Sequence, residues 1–220
     1  IQDIKDYAIR QLWLERVIQI KEYNYGSEHP KIISTLEALS EVFAKLENTT
    51  AQKGVLGKLL KIKEYHYGLD HVEVANTLDS LAATLNKEGD TANARSLIEK
   101  SLKIKEGYYG KDHPQLIGSL ESLEQIISSK DSVLAQKEIL TRIVKIKDNH
   151  YKLGSNEILN TARKLQEVLR KVGDIENQTE NAGRILENLS KQSDTSYLEV
   201  IFKAGNNINT KDNYGKTPLS

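Results

Sequence analysis

Cysteine and methionine are both absent from this 220-residue chain, and proline occurs only three times. Without cysteine there can be no disulfide framework, no thiolate metal site and no thiol nucleophile. Aromatic residues make up only 6%, with a single Trp and two Phe. No run approaches the eighteen or so consecutive apolar residues that a membrane span requires, and no basic n-region leads into an apolar h-region as in a signal peptide. Neither sign of charge is in excess, because 31 Lys and Arg balance 31 Asp and Glu. A net charge of zero argues against a strongly basic nucleic-acid binder. Nucleophile elbows, phosphate-binding loops and dinucleotide fingerprints are all missing, so no enzymatic activity and no cofactor are expected of these residues. The lack of any methionine reads as a piece of a longer chain.

What is present is a repeat. Ile20-Lys21-Glu22-Tyr23-Asn24-Tyr25-Gly26 returns as Ile62-Lys63-Glu64-Tyr65-His66-Tyr67-Gly68 and again as Ile104-Lys105-Glu106-Gly107-Tyr108-Tyr109-Gly110, with a worn copy at Ile146-Lys147-Asp148, always at an offset of 42. Such self-similarity marks an array of stacked units. Within a unit the apolar spacing is helical, as in Leu78, Leu81, Ala82 and Leu85. Glu88-Gly89-Asp90 and Val172-Gly173-Asp174 interrupt it, with Gly suited to a left-handed helix end and Asp to capping the next helix. A second helix follows, and three of its columns are wholly apolar: Leu14/Leu56/Ile98/Leu140, Ile18/Leu60/Leu102/Val144 and Ile20/Ile62/Ile104/Ile146. Each unit is thus a helical hairpin that cannot bury both faces alone, and stacking is what completes the core. Gly26, Gly68 and Gly110 fit helix ends, and Pro30 and Pro114 fit first helical turns. Residues 1–24 match the second helix of a unit, so the chain is expected to open in mid-repeat.

Tyr-Gly-x-x-His-Pro, then Thr-Leu-x-x-Leu-Ala, Gly-Asp and Leu-x-Ile-Lys-Glu, resembles the kinesin-light-chain type of tetratricopeptide repeat (TPR). The resemblance is fullest over residues 62–113 and weakens after 150, where Lys152 and Ser155-Asn156 depart from the pattern. It implies an all-α, right-handed superhelical solenoid of TPR hairpins: a second helix at 1–24, then repeats near 29–68, 71–110, 113–152 and 155–190. The last helix, near 175–190, is less regular. Residues 194–220 change character. Asp212-Asn213-Tyr214-Gly215-Lys216-Thr217-Pro218-Leu219 resembles the opening of an ankyrin repeat, so the array is expected to pass into ankyrin repeats there. A TPR-to-ankyrin chain of this kind resembles multidomain proteins of intracellular bacteria, which implies a cytoplasmic location, in the bacterium or in a host cytosol, as part of an effector or toxin.

In TPR arrays the first helix of each hairpin lines a concave groove. That assigns Ser34, Glu37, Glu41, Asn76, Asp79, Asn86, Lys87, Glu121, Gln125 and Arg163 to the groove. Glu37, Asp79 and Glu121 form an acidic column that Arg163 ends, which suits a basic or mixed-charge peptide. The light-chain family usually has Asn where this chain has Ala38, Ser80, Ser122 and Lys164. The function these features imply is protein–protein recognition as a scaffold or targeting module. The alternative is self-association into a homo-oligomer, or a non-catalytic spacer in an effector whose enzymatic domain lies outside these residues. No membrane or nucleic-acid partner and no metal are expected. Lys61, Lys103 and Lys145, with Lys63, Lys105 and Lys147, read as solvating the outer face. His29, His71 and His113 read as turn residues, since stacked hairpins sit about 10 Å apart and Zn–N bonds are about 2 Å. Tyr25, Tyr67, Tyr109 and Tyr151 read as packing of the inter-repeat loop, and Trp13 as core or as a cap over the N-terminal edge.

Overall fold

The structure, a computed structural model, describes residues 2–127, 133–151 and 156–192. Among the described residues there are nine α-helices: α1 (Gln2–Tyr25), α2 (Ile33–Lys45), α3 (Thr49–Tyr67), α4 (Val72–Lys87), α5 (Thr91–Tyr109), α6 (Ile117–Ile127), α7 (Val133–His150), α8 (Asn156–Val172) and α9 (Ile175–Gln192). They belong to two compact units, Ile1–Lys111 and Asp112–Ser220. The expected ankyrin opening at 194–220 lies outside the described residues.

Local chemistry sets the helix ends. Asn48, Asp90 and Asp174 occupy one repeat position, and each side chain accepts from the backbone N–H three residues on, at 3.0, 3.3 and 3.2 Å. The histidines do the same work one loop later. His29, His71 and His113 accept through Nδ1 from the N–H of Lys31, Glu73 and Gln115, at 3.2, 3.1 and 3.2 Å. A ring stacked on the preceding tyrosine steadies the cap, with centroids 4.9 Å apart for Tyr67 and His71. Proline then decides how the next helix begins. Pro30 and Pro114 each open a three-residue 3₁₀ turn before the α-helix, whereas Val72 starts α4 directly. The turn inside the hairpin needs a left-handed residue. Gly89 and Gly173 supply it with φ of 84° and 69°, but the first complete hairpin forces Glu47 to φ 55°.

The core follows the apolar columns. In the first unit Ile18, Leu36, Leu39, Phe43, Leu56, Leu59 and Ile62 form one cluster between α1, α2 and α3. Val74, Ala75, Leu78 and Ile104 form another between α4 and α5, with Leu60 of α3 against it. In the second unit Leu140 and Val144 of α7 meet Leu165, Val168 and Leu169 of α8, and Ile185 of α9 closes on Leu159 and Ala162. α9 is a full helix despite its weaker apolar pattern, because polar side chains take core positions in it. Asn181, 1% exposed, donates to the Ala162 carbonyl at 2.8 Å.

Two polar positions of the repeat pair the helices within each unit, and the lysines of one correct the sequence reading. Lys63, Lys105 and Lys147 do not solvate the outer face. They are buried, with side chains 3%, 8% and 7% exposed, and each reaches the first helix of its own hairpin: Lys63 to Glu37 at 2.6 Å, Lys105 to Asp79 at 2.5 Å, Lys147 to Glu121 at 2.7 Å. On the other side Lys63 meets Glu73 of the next hairpin at 2.9 Å, and Lys147 meets Thr161 Oγ1 at 2.9 Å. Farther out, Glu22 pairs with Lys58, Glu64 with Lys100 at 3.7 Å, and Asp148 with Arg184 at 2.6 Å, linking successive second helices. Burial pushes the Asp148 carboxyl above the usual carboxylate range against the pull of Arg184.

For Lys63, burial pulls the pKa down, but the hydrogen bonds and charges of Glu37 and Glu73 outweigh it and the net direction is up. A group raised in the folded state contributes its full stability below the unfolded lysine value of about 10.4 and loses it as pH climbs through the folded value. Denaturant midpoints of the wild type, minus those of Lys63→Met, should therefore stay constant from neutral pH to about pH 10 and fall above it. A difference that is flat through about pH 11 would show that Lys63 is not held as an ammonium. Glu47→Gly should stabilise the chain by about 1 kcal/mol, since it relieves a left-handed β-carbon at the hairpin turn. An unchanged or lower thermal midpoint would count against that strain.

Candidate partner-binding face

The first helices of the hairpins are α2, α4, α6 and α8, and their spacing settles which side chains stand clear of the packing. On α2, Ser34 and Glu41 are exposed and Glu37 is half-buried. On α4, Asn76 and Lys87 are exposed, whereas Asp79 and Asn86 are half-buried. These seven form the first-helix face of the first unit. In the second unit Gln125 of α6 and Arg163 of α8 are exposed, with Glu121 half-buried.

The acidic column is not free charge. Glu37, Asp79 and Glu121 each hold one of the buried lysines described above. A carboxylate already opposite an ammonium presents a weaker field to a ligand than the sequence pattern alone implies. Arg163 takes the same column in the last hairpin, where the position 26 residues on is Leu189 rather than lysine. Among the described residues Arg163 makes no ion pair.

In the second unit the first helices wall a cleft. Leu140, Ile143 and Lys147 of α7 floor a cleft of about 300 Å³. Its walls are Glu121, Glu124 and Gln125 of α6 and Glu157, Asn160, Thr161 and Lys164 of α8. Glu124 has a buried side chain, 8% exposed, and is held by Lys164 at 3.2 Å and by Gln136 Nε2 at 3.1 Å. Sequence reasoning missed Glu124 because its repeat position is a packing position, filled in the earlier hairpins by the small buried residues Ser40 and Ala82. An acid standing where the two earlier repeats bury a small residue was the available signal. The cleft carries three glutamates against two lysines, one carboxylate more than its own ammonium groups neutralise.

Among the described residues no three His, Asp or Glu side chains gather as a metal site would require, and no helix is long and apolar enough to cross a membrane. Trp13 is not core. It stands 69% exposed on α1.

A tetratricopeptide repeat model matches residues 74–115, the segment from α4 to the start of the following hairpin. None of the curated proteins matches this chain. Among solved structures, the fold is similar to that of a Podosopora anserina protein assigned to the kinesin light chains, built of nearly identical TPR-like repeats. The TM-score is 0.71 at 18% identity, covering 88% of this chain and 92% of that one. A single-substitution variant of that protein gives 0.70 at 18% identity, over 87% and 91%. BtubC (BKLC) from P. vanneervenii gives 0.64 at 12% identity, over 93% and 81%. At these identities the likeness is one of fold, and the fold is that of tetratricopeptide α-solenoids, in general a scaffold for protein–protein interaction.

Proposed function

We propose that this chain is a protein-recognition module that receives an extended polar segment of a partner along its first-helix face, and that the cleft between α6 and α8 takes a basic side chain of that segment. The observation that carries this reading is the charge of the cleft. Glu121, Glu124 and Glu157 outnumber Lys147 and Lys164 in a recess floored by Leu140 and Ile143. A lysine or arginine placed there gains a carboxylate while its stem covers apolar floor. The acids of the first unit serve mainly to hold the lysine column, so the preference for positive charge is local to this recess. Gln125 and Arg163 supply further hydrogen bonds and charge in the second unit, and Ser34, Glu41, Asn76, Asn86 and Lys87 do so on the first-helix face of the first unit. The tetratricopeptide fold, usually non-catalytic, favours this reading over an enzymatic one.

Selection from a random peptide library against the whole chain should enrich peptides carrying Lys or Arg at one fixed position. Glu121→Gln/Glu157→Gln should weaken the selected peptide about tenfold, an effect that shrinks as salt rises. Enrichment of acidic peptides, or unchanged affinity in the double variant, would contradict the assignment.

A further inference from the structure

The junction between the last two second helices, α7 and α9, departs from the repeat. Glu22, Glu64 and Glu106 hold one repeat position, but α7 has Asp148 there, one methylene shorter. In the first unit the longer acids reach Lys58 and Lys100. Here Arg184 of α9 donates through Nε to Asp148 Oδ2 at 2.6 Å. The other carboxyl oxygen, Oδ1, is shut off from solvent and has no hydrogen-bond partner among the described residues. Beside the pair lies a cleft of about 370 Å³ between α7 and α9, floored by Val144 of α7 and by Leu165 and Leu169 of α8.

The charges around Asp148 do not balance. Arg184 of α9 is paired with it, but that guanidinium is shared with Glu180 at 3.3 Å. Glu187 and Glu180, both on α9, set further negative charge against Asp148. On α7, Lys145 lines the same cleft and pairs with Asp112 at 3.1 Å. What α8 presents to the cleft, Leu165 and Leu169, carries no charge. Desolvation and the two glutamates outweigh Arg184, so folding favours the protonated carboxyl. The neutral acid still accepts from Arg184 through Oδ2, whereas the ionised form regains water once α9 moves away. We propose that the α7–α9 contact is a proton-operated latch, in which protonation of Asp148 tightens α9 against α7 and α8 and loss of the proton loosens it. The latch shares no residue with the α6–α8 recess and does not depend on what that recess binds.

A carboxyl whose folded value lies above its unfolded value of about 3.9 adds stability as pH falls through the folded value. Asp174, which caps α9, runs the other way. Lys137 and Asn177 hold it below the usual carboxylate range, so its contribution is lost only below about pH 3.9. Hydrogen exchange of α9 amides in the whole chain, corrected for intrinsic rates, should therefore show about threefold or more protection at about pH 5 relative to about pH 7.5. Asp148→Asn keeps an acceptor for Arg184 and carries no charge. It should be protected near neutral pH at least as well as the wild type, and it should lose the pH response. Groups that titrate elsewhere are common to these two chains, so the comparison isolates Asp148. Glu180→Gln/Glu187→Gln should keep the Asp148–Arg184 pair but respond less to acid. The proposal is overturned if wild-type α9 gains no protection in acid, or if Asp148→Asn exchanges faster than the wild type near neutral pH. It is also overturned if either variant responds to pH as the wild type does.

Discussion

An ammonium buried between two hairpins is the constraint on which this structure depends. α3 lies between α2 of its own hairpin and α4 of the next, and α7 lies in the same way between α6 and α8; Lys63 and Lys147 sit where the three helices meet. Taking an ammonium out of water costs several kcal/mol unless oxygen atoms replace the lost hydration. The oxygen atoms come from both neighbours, so a hairpin displaced along its partner by one residue would strand the charge. Apolar columns alone tolerate such slippage, because leucine against leucine is forgiving. The lysine column thus sets the register of stacking, and its aliphatic stem still fills apolar space.

That arrangement decides what remains for a partner. A carboxylate column that looks available in the sequence is largely committed to internal pairing. The first-helix face is therefore close to neutral in the first unit, with Ser34, Asn76 and Lys87 in solvent. Charge excess survives in the cleft beside Glu124, where a buried acid replaces the small residue of the two earlier repeats.

The period of 42, the hairpin and the helix ends were legible because they rest on local chemistry: Gly at positive φ, Asp90 and Asp174 as caps, apolar residues at three and four. The lysines were misread because their burial depends on partners 26 residues before and 10 to 14 after, distances no local pattern reports. An internal signal existed. The three repeats with lysine in this column carry an acid 26 residues earlier, and where Leu189 replaces the lysine, Arg163 replaces the acid. The regularity of α9 was hidden for a related reason, since Asn181 occupies an apolar column but satisfies itself on the Ala162 carbonyl.

The most direct test of the central claim is a thermodynamic cycle on Lys63 and its two carboxylates by denaturant unfolding. Glu37→Ala/Glu73→Ala strands a buried ammonium between two hairpins and should cost on the order of 3 kcal/mol. Lys63→Met in that background should recover much of the loss, giving a coupling energy above about 1.5 kcal/mol. Additivity of the acid and lysine substitutions to within about 0.5 kcal/mol would mean that the buried charge is not what joins the hairpins.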